Sequence, residues 1–229
     1  MPTICFEGSD CCGKSTVVDS VAEWLRIRGL EYIVAKNPGA TPLGQVLRTL
    51  IKKPEMFGKG IEIDPKTERI LFLADNSAFV ETVLRKNQDK WIVMDRCNFI
   101  SDIPYGLAHG LSLPDIQKIH SLISNPPLID MLFVLRCSDQ VLLERREGRE
   151  EKCRIEAQGE EYLRKVNQTY TTLLEEHGHY LTHYVQSKPA CEGGSCLGRR
   201  RLCAEYVDAS APINVVVSLI VEKISKLIK

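Results

Sequence analysis

Hydrophobic residues along this chain follow two patterns that alternate. Short continuous runs, rich in β-branched and aromatic residues, are typical of strands buried on both faces. Such runs predict five strands, at residues 3–7, 31–36, 91–95, 131–135 and 203–207. Helical spacing of apolar positions predicts helices at residues 17–25, 42–51, 66–86, 107–123 (broken near Pro114), 140–146, 159–176 and 212–227. The alternation favours an α/β fold, a doubly wound five-stranded parallel sheet with helices on both faces.

Two stretches show neither pattern. Residues 54–65 are punctuated by Gly and Pro and predict a loop, and residues 177–203 predict an irregular insertion. Neither has the composition of an interdomain linker, so we expect residues 1–229 to form a single domain. The insertion carries His177, His179, His183, Cys191, Cys196 and Cys203. Because their spacings do not match a four-ligand zinc pattern, we expect no stoichiometric metal there.

Composition narrows the classes of function. The 229 residues include 30 Lys and Arg and 30 Asp and Glu, and this zero net charge predicts no nucleic-acid partner. No apolar run has the length of a membrane span and no signal-peptide pattern is present, so we also expect no membrane partner. The nine cysteines do not form a disulfide framework, which favours a reduced, cytoplasmic protein. A host cytoplasm or a nucleus stays open as an alternative.

The segment between the first strand and the first helix carries a specific motif. Residues 8–16 read GSDCCGKST and match G-x-x-x-x-G-K-[ST], the phosphate-binding loop. Its glycines let backbone N–H groups turn toward phosphate oxygens, and the helix dipole adds to the attraction. Lys14 supplies a charge for the β- and γ-phosphates, and the Ser15 hydroxyl can ligate Mg²⁺. The motif predicts that ATP is bound by Gly8, Ser9, Asp10, Cys11, Cys12, Gly13, Lys14, Ser15 and Thr16.

Five further blocks follow the loop in order. They are PGATPLG at 38–44, LFLAD at 71–75, DR at 95–96, RIE at 154–156 and DAS at 208–210. With FEGSDCCGKST at the start, these blocks resemble the thymidylate kinase family, over residues 3 to about 220 except the insertion. The resemblance implies a P-loop NTPase fold of the nucleoside monophosphate kinase type. It also implies Mg²⁺-dependent transfer of a phosphoryl group from ATP to dTMP, giving ADP and dTDP.

The resemblance assigns roles to individual residues. It implies that the acceptor nucleotide is bound by Asp10, Pro38, Arg48, Phe72, Asn76, Arg96, Ser101 and Tyr105. It implies catalytic roles for Lys14, Asp10, Arg96, Arg149 and Arg154. It adds Asp208 and Ala209 to the ATP-binding residues, and assigns Ser15 and Asp95 to Mg²⁺. Phosphoryl transfer depends on positioning and charge neutralisation, which suits lysine, arginine and Mg²⁺ under a closing lid, here residues 145–157.

Three departures from the family concern the base. Asn76 stands where the family has an arginine that hydrogen-bonds thymine O4, and Cys97 stands where it has an aromatic residue. The family's S-x-x-x-Y element, here Ser101 and Tyr105, comes one residue late. Because a carboxamide can donate to thymine or accept from the cytosine amine, we expect dTMP to be preferred but dCMP to be rejected less sharply.

Other functions stay open from the sequence. Asn76 and Cys97 could suit another pyrimidine deoxynucleoside monophosphate, such as dUMP or a modified dCMP. A nucleotide-binding regulatory protein without turnover is a second alternative, and the intact Lys14 and the 95–96 pair argue against it. A GTP-dependent switch would need an N-K-x-D stretch, which the sequence lacks. The resemblance further implies a homodimer formed through helix faces, for which helix 66–86 is a candidate.

A last departure lies in the phosphate-binding loop itself. Cys11 stands where the family has arginine or glycine, and Cys12 stands where it has a small residue. The loop therefore has no arginine of its own at these positions. By resemblance, the catalytic arginine is expected to come from the lid.

Overall fold

The computed structural model describes residues 2–123, 126–148, 154–185, 187–188 and 201–228. The strands are β1 (Thr3–Glu7), β2 (Tyr32–Lys36), β3 (Trp91–Asp95), β4 (Met131–Arg136), β5 (Ser187–Lys188), β6 (Arg201–Leu202) and β7 (Ala204–Asp208). The helices are α1 (Lys14–Ile27), α2 (Pro42–Lys52), α3 (Pro65–Phe79), α4 (Asn98–Ala108), α5 (Leu113–His120), α6 (Asp139–Glu147), α7 (Glu160–Leu181) and α8 (Ile213–Ser225).

Five strands form one parallel sheet in the order β2-β3-β1-β4-β7. Every residue of β3 is buried, as are nearly all residues of β1 and β4. Because successive side chains of a strand point to opposite faces, this burial means that both faces of the sheet are covered. The doubly wound α/β fold predicted from the sequence is therefore confirmed.

The register of the central strands positions the candidate site. Phe6 of β1 lies beside Asp95 of β3 on one side and beside Phe133 of β4 on the other. The Phe6 and Phe133 rings stack with their centroids 5.4 Å apart. As a result, the loop after β1 meets the Asp95–Arg96 segment at the carboxyl edge of the sheet, where open α/β sheets bind their ligands.

The helix predicted over 107–123 is wrong in its bounds. Helix α4 begins at Asn98 and ends at Ala108, and α5 begins at Leu113 after the capping box of Ser112 and Asp115. Nine of the eleven residues of α4 are buried. A helix surrounded on all sides has no polar stripe, so its sequence lacks the periodicity from which helices are predicted.

Two other predicted segments need correction. The helix expected over 66–86 begins with an Asp64 cap, ends as an α-helix at Phe79 and continues as one π-helical turn over Val80–Leu84. The irregular segment expected from residue 177 begins later, because α7 runs on to Leu181 and β5 pairs with β6. Cys191 and Cys196 lie outside the described residues. Among the described helices, none combines the length and apolarity required to cross a bilayer.

Candidate active site

The loop between β1 and α1 has a backbone that demands glycine at its first position. A Cβ on Gly8 would lie 2.5 Å from the Leu135 carbonyl oxygen, which is closer than any real contact. At its end, Gly13 (φ 96°) directly precedes α1. Because Gly13 has no side chain to cap the helix, the first N–H groups of α1 are available to phosphate oxygens.

The Lys14 side chain folds back over this loop. Its Nζ donates to the carbonyl oxygens of Gly8 (2.9 Å) and Ser9 (2.7 Å), and the residue is only 6% exposed. The ammonium is thus held at the centre of the loop. A phosphate bound in the loop would compete with these neutral carbonyl oxygens for the Lys14 ammonium. Because charge-assisted hydrogen bonds are stronger than neutral ones, we expect the phosphate to win this competition.

Ser15 and Asp95 bring two oxygen ligands together. The Ser15 hydroxyl donates to Asp95 Oδ2 over 3.1 Å, joining the start of α1 to the end of β3. Mg²⁺ prefers oxygen donors, takes few of them from the protein and keeps several waters. The residues present therefore fit Mg²⁺, which would neutralise charge on phosphate oxygens bound beside them.

Arg96 lies at the centre of the site. Its backbone is in the left-handed region (φ 76°), which costs a non-glycine residue about 1 kcal/mol or more. In this conformation Nη1 donates to the Gly8 carbonyl (2.8 Å) and the Tyr170 hydroxyl (3.0 Å). Nη2 donates to Asp10 (2.7 Å) and the Tyr105 hydroxyl (3.0 Å). The guanidinium therefore joins the phosphate-binding loop to α4 and α7.

Glu7, the last residue of β1, is a buried negative partner of Arg96. The carboxylate is fully buried and accepts hydrogen bonds from the Cys97 N–H (2.7 Å), the Ser101 hydroxyl (2.8 Å) and the Tyr170 hydroxyl (2.7 Å). Burial raises the pKa of Glu7 above its usual value, against the opposing charge of Arg96. The hydroxyl of Ser101 is thus engaged with Glu7.

Asp10 is the negative partner on the loop. Burial by itself would raise its pKa, but the charges of Arg96, Lys14 and Lys52 and the hydrogen bond from Tyr105 (2.9 Å) outweigh it and hold the pKa well below its usual range. Asp10 is therefore ionised at neutral pH. Its contribution to stability is present above the ordinary aspartate pKa and is lost as the pH falls below that value.

A cavity that we call the acceptor cavity opens beside this cluster. Its walls include Asp10, Lys14, Ser15, Pro38, Arg48, Lys52, Arg69, Phe72, Asp95, Arg96, Asp102 and Tyr105. Most residues predicted to bind the acceptor are thus brought together. Asn76 and Ser101 do not line this cavity. Asn76 is fully buried in α3, and neither polar atom of its side chain has a hydrogen-bond partner among the described residues.

Arg48 reaches the turn that follows β2. Its Nη1 donates to the Pro38 carbonyl oxygen over 2.9 Å. The same turn is fixed from α3, because Asp75 accepts from the Gly39 N–H (3.0 Å) and from the Asn98 side chain (3.0 Å). The conformation of this wall therefore depends on α2, α3 and α4 together.

A second cavity, the donor-side cavity, lies on the other side of the phosphate-binding loop. It is lined by Cys11, Cys12, Gly13, Thr16, Val17, Arg145, Ala209, Ala211, Ile213 and Val216. Arg145 bridges its two sides, donating to the carbonyl oxygens of Cys12 (3.1 Å) and Ala209 (2.9 Å). Its apolar walls and these polar groups suit the nucleoside part of ATP. Asp208 does not line this cavity.

The predicted lid arginines occupy different places. Arg154 is held beside α2 and α3, where Nε donates to the Ile51 carbonyl oxygen (2.8 Å) and the guanidinium pairs with Glu68. It lines neither the acceptor cavity nor the donor-side cavity. Arg149 lies outside the described residues. Arg145, which lies at the start of the predicted lid segment 145–157 and had no specific role assigned, contacts the phosphate-binding loop.

Helix α7 carries two residues that the sequence did not single out. Tyr170 bonds both Arg96 and Glu7, as described above. Asn167, which is buried, accepts from the Ser9 hydroxyl over 2.7 Å and donates to the Cys137 carbonyl oxygen (3.1 Å) and Asp139 (2.8 Å). The signal available in the sequence was an Asn and a Tyr at positions on the apolar face of the predicted helix. Their partners could be identified only from the fold.

We expect Asn167→Ala to loosen the phosphate-binding loop. The change leaves the Ser9 hydroxyl and the Cys137 carbonyl oxygen without this partner, which costs about 1–3 kcal/mol of folding free energy. We further expect the KM for ATP to rise about fivefold, with the KM for the acceptor within twofold. The control is Thr171→Val one turn later, since among the described residues the Thr171 hydroxyl bonds only the backbone carbonyl oxygen of Asn167 in the same helix. Equal changes in both KM values would contradict a specific role.

Fold and site together define a P-loop nucleoside monophosphate kinase: a parallel sheet, a phosphate-binding loop and two cavities that meet at that loop. The model of one family, described as thymidylate kinase, matches residues 6–191. The chain belongs to the thymidylate kinase family.

Curated relatives agree with this assignment. A thymidylate kinase of Synechococcus sp. (strain CC9902) is 33% identical over 181 residues, which cover 76% of this chain and 84% of the relative. A thymidylate kinase of Campylobacter concisus (strain 13826) is 31% identical over 191 residues, covering 82% and 92%. A thymidylate kinase of Thermosipho melanesiensis (strain DSM 12029 / CIP 104789 / BI429) is 33% identical over 169 residues, covering 73% and 81%.

Proposed function

We propose that the protein transfers the γ-phosphoryl group of ATP to the 5′-phosphate of dTMP, giving ADP and dTDP. The observation that carries this proposal is the Arg96 cluster, in which one guanidinium contacts the phosphate-binding loop and also lines the acceptor cavity. Its charge would attract a second phosphate into that cavity, beside the phosphates bound by the loop. Membership of the family supports dTMP as the acceptor.

The residues present suit this chemistry. An acceptor phosphate is already an anion near neutral pH, so the site needs charge neutralisation and alignment rather than a strong base. Lys14 serves the donor phosphates, while Arg96 and Arg48 serve the acceptor phosphate. Asp10, kept ionised by its neighbours, holds Arg96 and offers an acceptor to a sugar hydroxyl. The Mg²⁺ requirement belongs to this proposal and is supported by the pair formed by Ser15 and Asp95.

Further parts of the proposal concern the quaternary structure and the cellular location of the protein. A homodimer through helix faces is supported by the family resemblance and by Ile70, which is half exposed on α3. A cytoplasmic location is supported by the cysteine usage. The catalytic contributions of Arg149 and Arg154 also belong to the proposal, and substitution of each by lysine tests them separately.

A coupled ADP-release assay tests the proposed reaction. We expect dTMP to give the highest kcat/KM in a panel that contains dTMP, dUMP, dCMP, dGMP and AMP, each with ATP and Mg²⁺. Release of ADP that no acceptor raises above the rate with ATP alone would indicate a regulatory protein without turnover. A higher kcat/KM with dUMP than with dTMP would indicate a kinase for another pyrimidine nucleotide.

A further inference from the structure

A buried ion pair forms part of the acceptor cavity wall. Arg69 of α3 donates from Nη1 to Asp102 Oδ1 of α4 over 2.8 Å, and each side chain is 1% exposed. Both residues line the acceptor cavity. A buried ion pair is weak evidence for stability, because desolvation offsets most of the Coulombic gain. Its position in a cavity wall therefore suggests a role toward a ligand.

The pair has unused hydrogen-bonding capacity. A guanidinium carries five N–H donors, and the described contacts of Arg69 use Nη1 for Asp102 and Nη2 for Glu68. Arg69 Nε has no hydrogen-bond partner among the described residues. The Asp102 carboxylate, which can accept about four hydrogen bonds, accepts one from Arg69 and contacts His120 Nε2 at 2.9 Å. The wall thus retains donors and an acceptor side by side.

Both groups are held in fixed orientations. The Arg69 guanidinium lies over the Phe72 ring, 4.5 Å from its centroid. His120, which holds Asp102, is itself bonded through Nδ1 to the hydroxyls of Tyr180 and Tyr184. Burial would lower the pKa of Arg69, but the carboxylates of Asp102 and Glu68 outweigh it and hold the pKa above its usual value. A charged donor therefore stands next to a flat aromatic surface.

We propose that Arg69 and Asp102 read the base of the acceptor nucleotide. The guanidinium donates to O4 of a pyrimidine-2,4-dione, and the carboxylate accepts from the neighbouring N3–H. Phe72, which also lines the cavity, packs against the ring. This inference rests on the proposed function and names the pair that determines its base specificity.

The pair predicts strong rejection of cytosine. In cytosine the 4-amino group would face a guanidinium, donor against donor, and the N3 lone pair would face a carboxylate, acceptor against acceptor. Buried polar groups left unpaired can discriminate by 10⁴-fold or more. We therefore expect dTMP to exceed dCMP in kcat/KM by at least about 1,000-fold. This replaces the weaker discrimination expected from Asn76, which does not line the cavity.

Asp102→Asn is the first test, because it keeps the shape of the wall. The asparagine oxygen can still accept from Arg69, while its NH₂ group can donate to N3 of cytosine. We expect the ratio of kcat/KM for dTMP over dCMP to fall at least about 30-fold, with the KM for ATP within threefold. The control is Asn76→Ala, which should leave this ratio within twofold. A ratio unchanged by Asp102→Asn, or changed equally by Asn76→Ala, overturns the inference.

A second test pairs a residue with a ligand atom. The probe is a dTMP analogue with sulfur in place of the 4-oxygen, because it keeps N3–H for Asp102 while offering Arg69 a weaker acceptor. We expect the parent protein to lose at least about tenfold in kcat/KM with the analogue relative to dTMP, and Arg69→Met to lose less than threefold. A purely structural role would lower activity with both substrates alike, which would overturn the inference. Should Arg69→Met fail to fold, Arg69→Lys gives the same comparison, with a loss intermediate between the two.

The two proposals fail in different ways. If no pyrimidine nucleotide stimulates ADP release by the parent protein, the proposed function fails and the base-reading role fails with it. If dTMP is phosphorylated but its advantage over dCMP does not depend on Arg69 or Asp102, only the base-reading role fails.

Discussion

Lys14→Ala is expected to abolish turnover, with kcat reduced at least about 1,000-fold. The ammonium is the loop's own positive charge for the β- and γ-phosphate oxygens, and it is already held at the centre of the loop by the carbonyl oxygens of Gly8 and Ser9. A 1,000-fold loss corresponds to about 4 kcal/mol of transition-state stabilisation, which is typical for removal of one preorganised donor.

The measurement is steady-state kcat in the coupled assay at saturating ATP and dTMP. Lys66→Ala is the matched control, since Lys66 also lies in the first turn of a helix but its side chain is 62% exposed. We expect this control to stay within twofold of the parent. A Lys14→Ala protein that retains a tenth of the parental kcat would contradict the assigned role.

Arg96→Ala is expected to act on both activity and stability. The guanidinium lines the acceptor cavity, so its loss should lower kcat/KM for dTMP at least about 1,000-fold. Its loss also leaves the fully buried Glu7 without its charged partner, and breaking a buried pair in this way costs about 3–5 kcal/mol. The affinity for ATP should change much less, within about fivefold, because the remaining loop contacts persist.

Two further variants separate these effects. Arg96→Lys keeps a charge near Glu7 but cannot contact the loop and Asp10 at the same time, so we expect most of the stability and little of the activity to return. Arg136→Ala is the control at the end of strand β4 of the same sheet, where the guanidinium lies over Tyr206, and it should leave kcat/KM within threefold. ATP affinity that falls as far as dTMP affinity in Arg96→Ala would contradict an acceptor-side role.

The sheet could be predicted from the sequence because its strands are buried on both faces. Continuous apolar runs such as 91–95 and 131–135 have the length of strands and are too short for typical buried helices. The phosphate-binding loop could also be predicted, since all its residues are contiguous in the sequence. Helix α4 could not be predicted, because a helix buried on every side lacks the periodic polar positions by which helices are recognised.

The pairing of Arg69 with Asp102 in the acceptor cavity wall could not be predicted either, but the reason is different. Arg69 reads in sequence as one more charge on the polar side of an amphipathic helix, and Asp102 follows an irregular stretch. Only the packing of α3 against α4 brings them together, 33 positions apart. The departure at position 76 is visible in the sequence because it falls within a family motif, whereas Arg69 lies outside that motif, two helical turns earlier on the same helix.

Helix α7 has a consequence for the order in which the protein is made. The phosphate-binding loop and Arg96 are synthesised early, but the Ser9 hydroxyl is bonded by a residue 158 positions later. Tyr170, which supports Arg96, also emerges from the ribosome only with this helix. Nucleotide can stabilise only the state that binds it. The donor-side cavity also includes Ala209 and Val216, which are translated after α7. Full stabilisation by ATP is therefore expected only for chains translated beyond this helix, and shorter nascent chains must avoid aggregation without it.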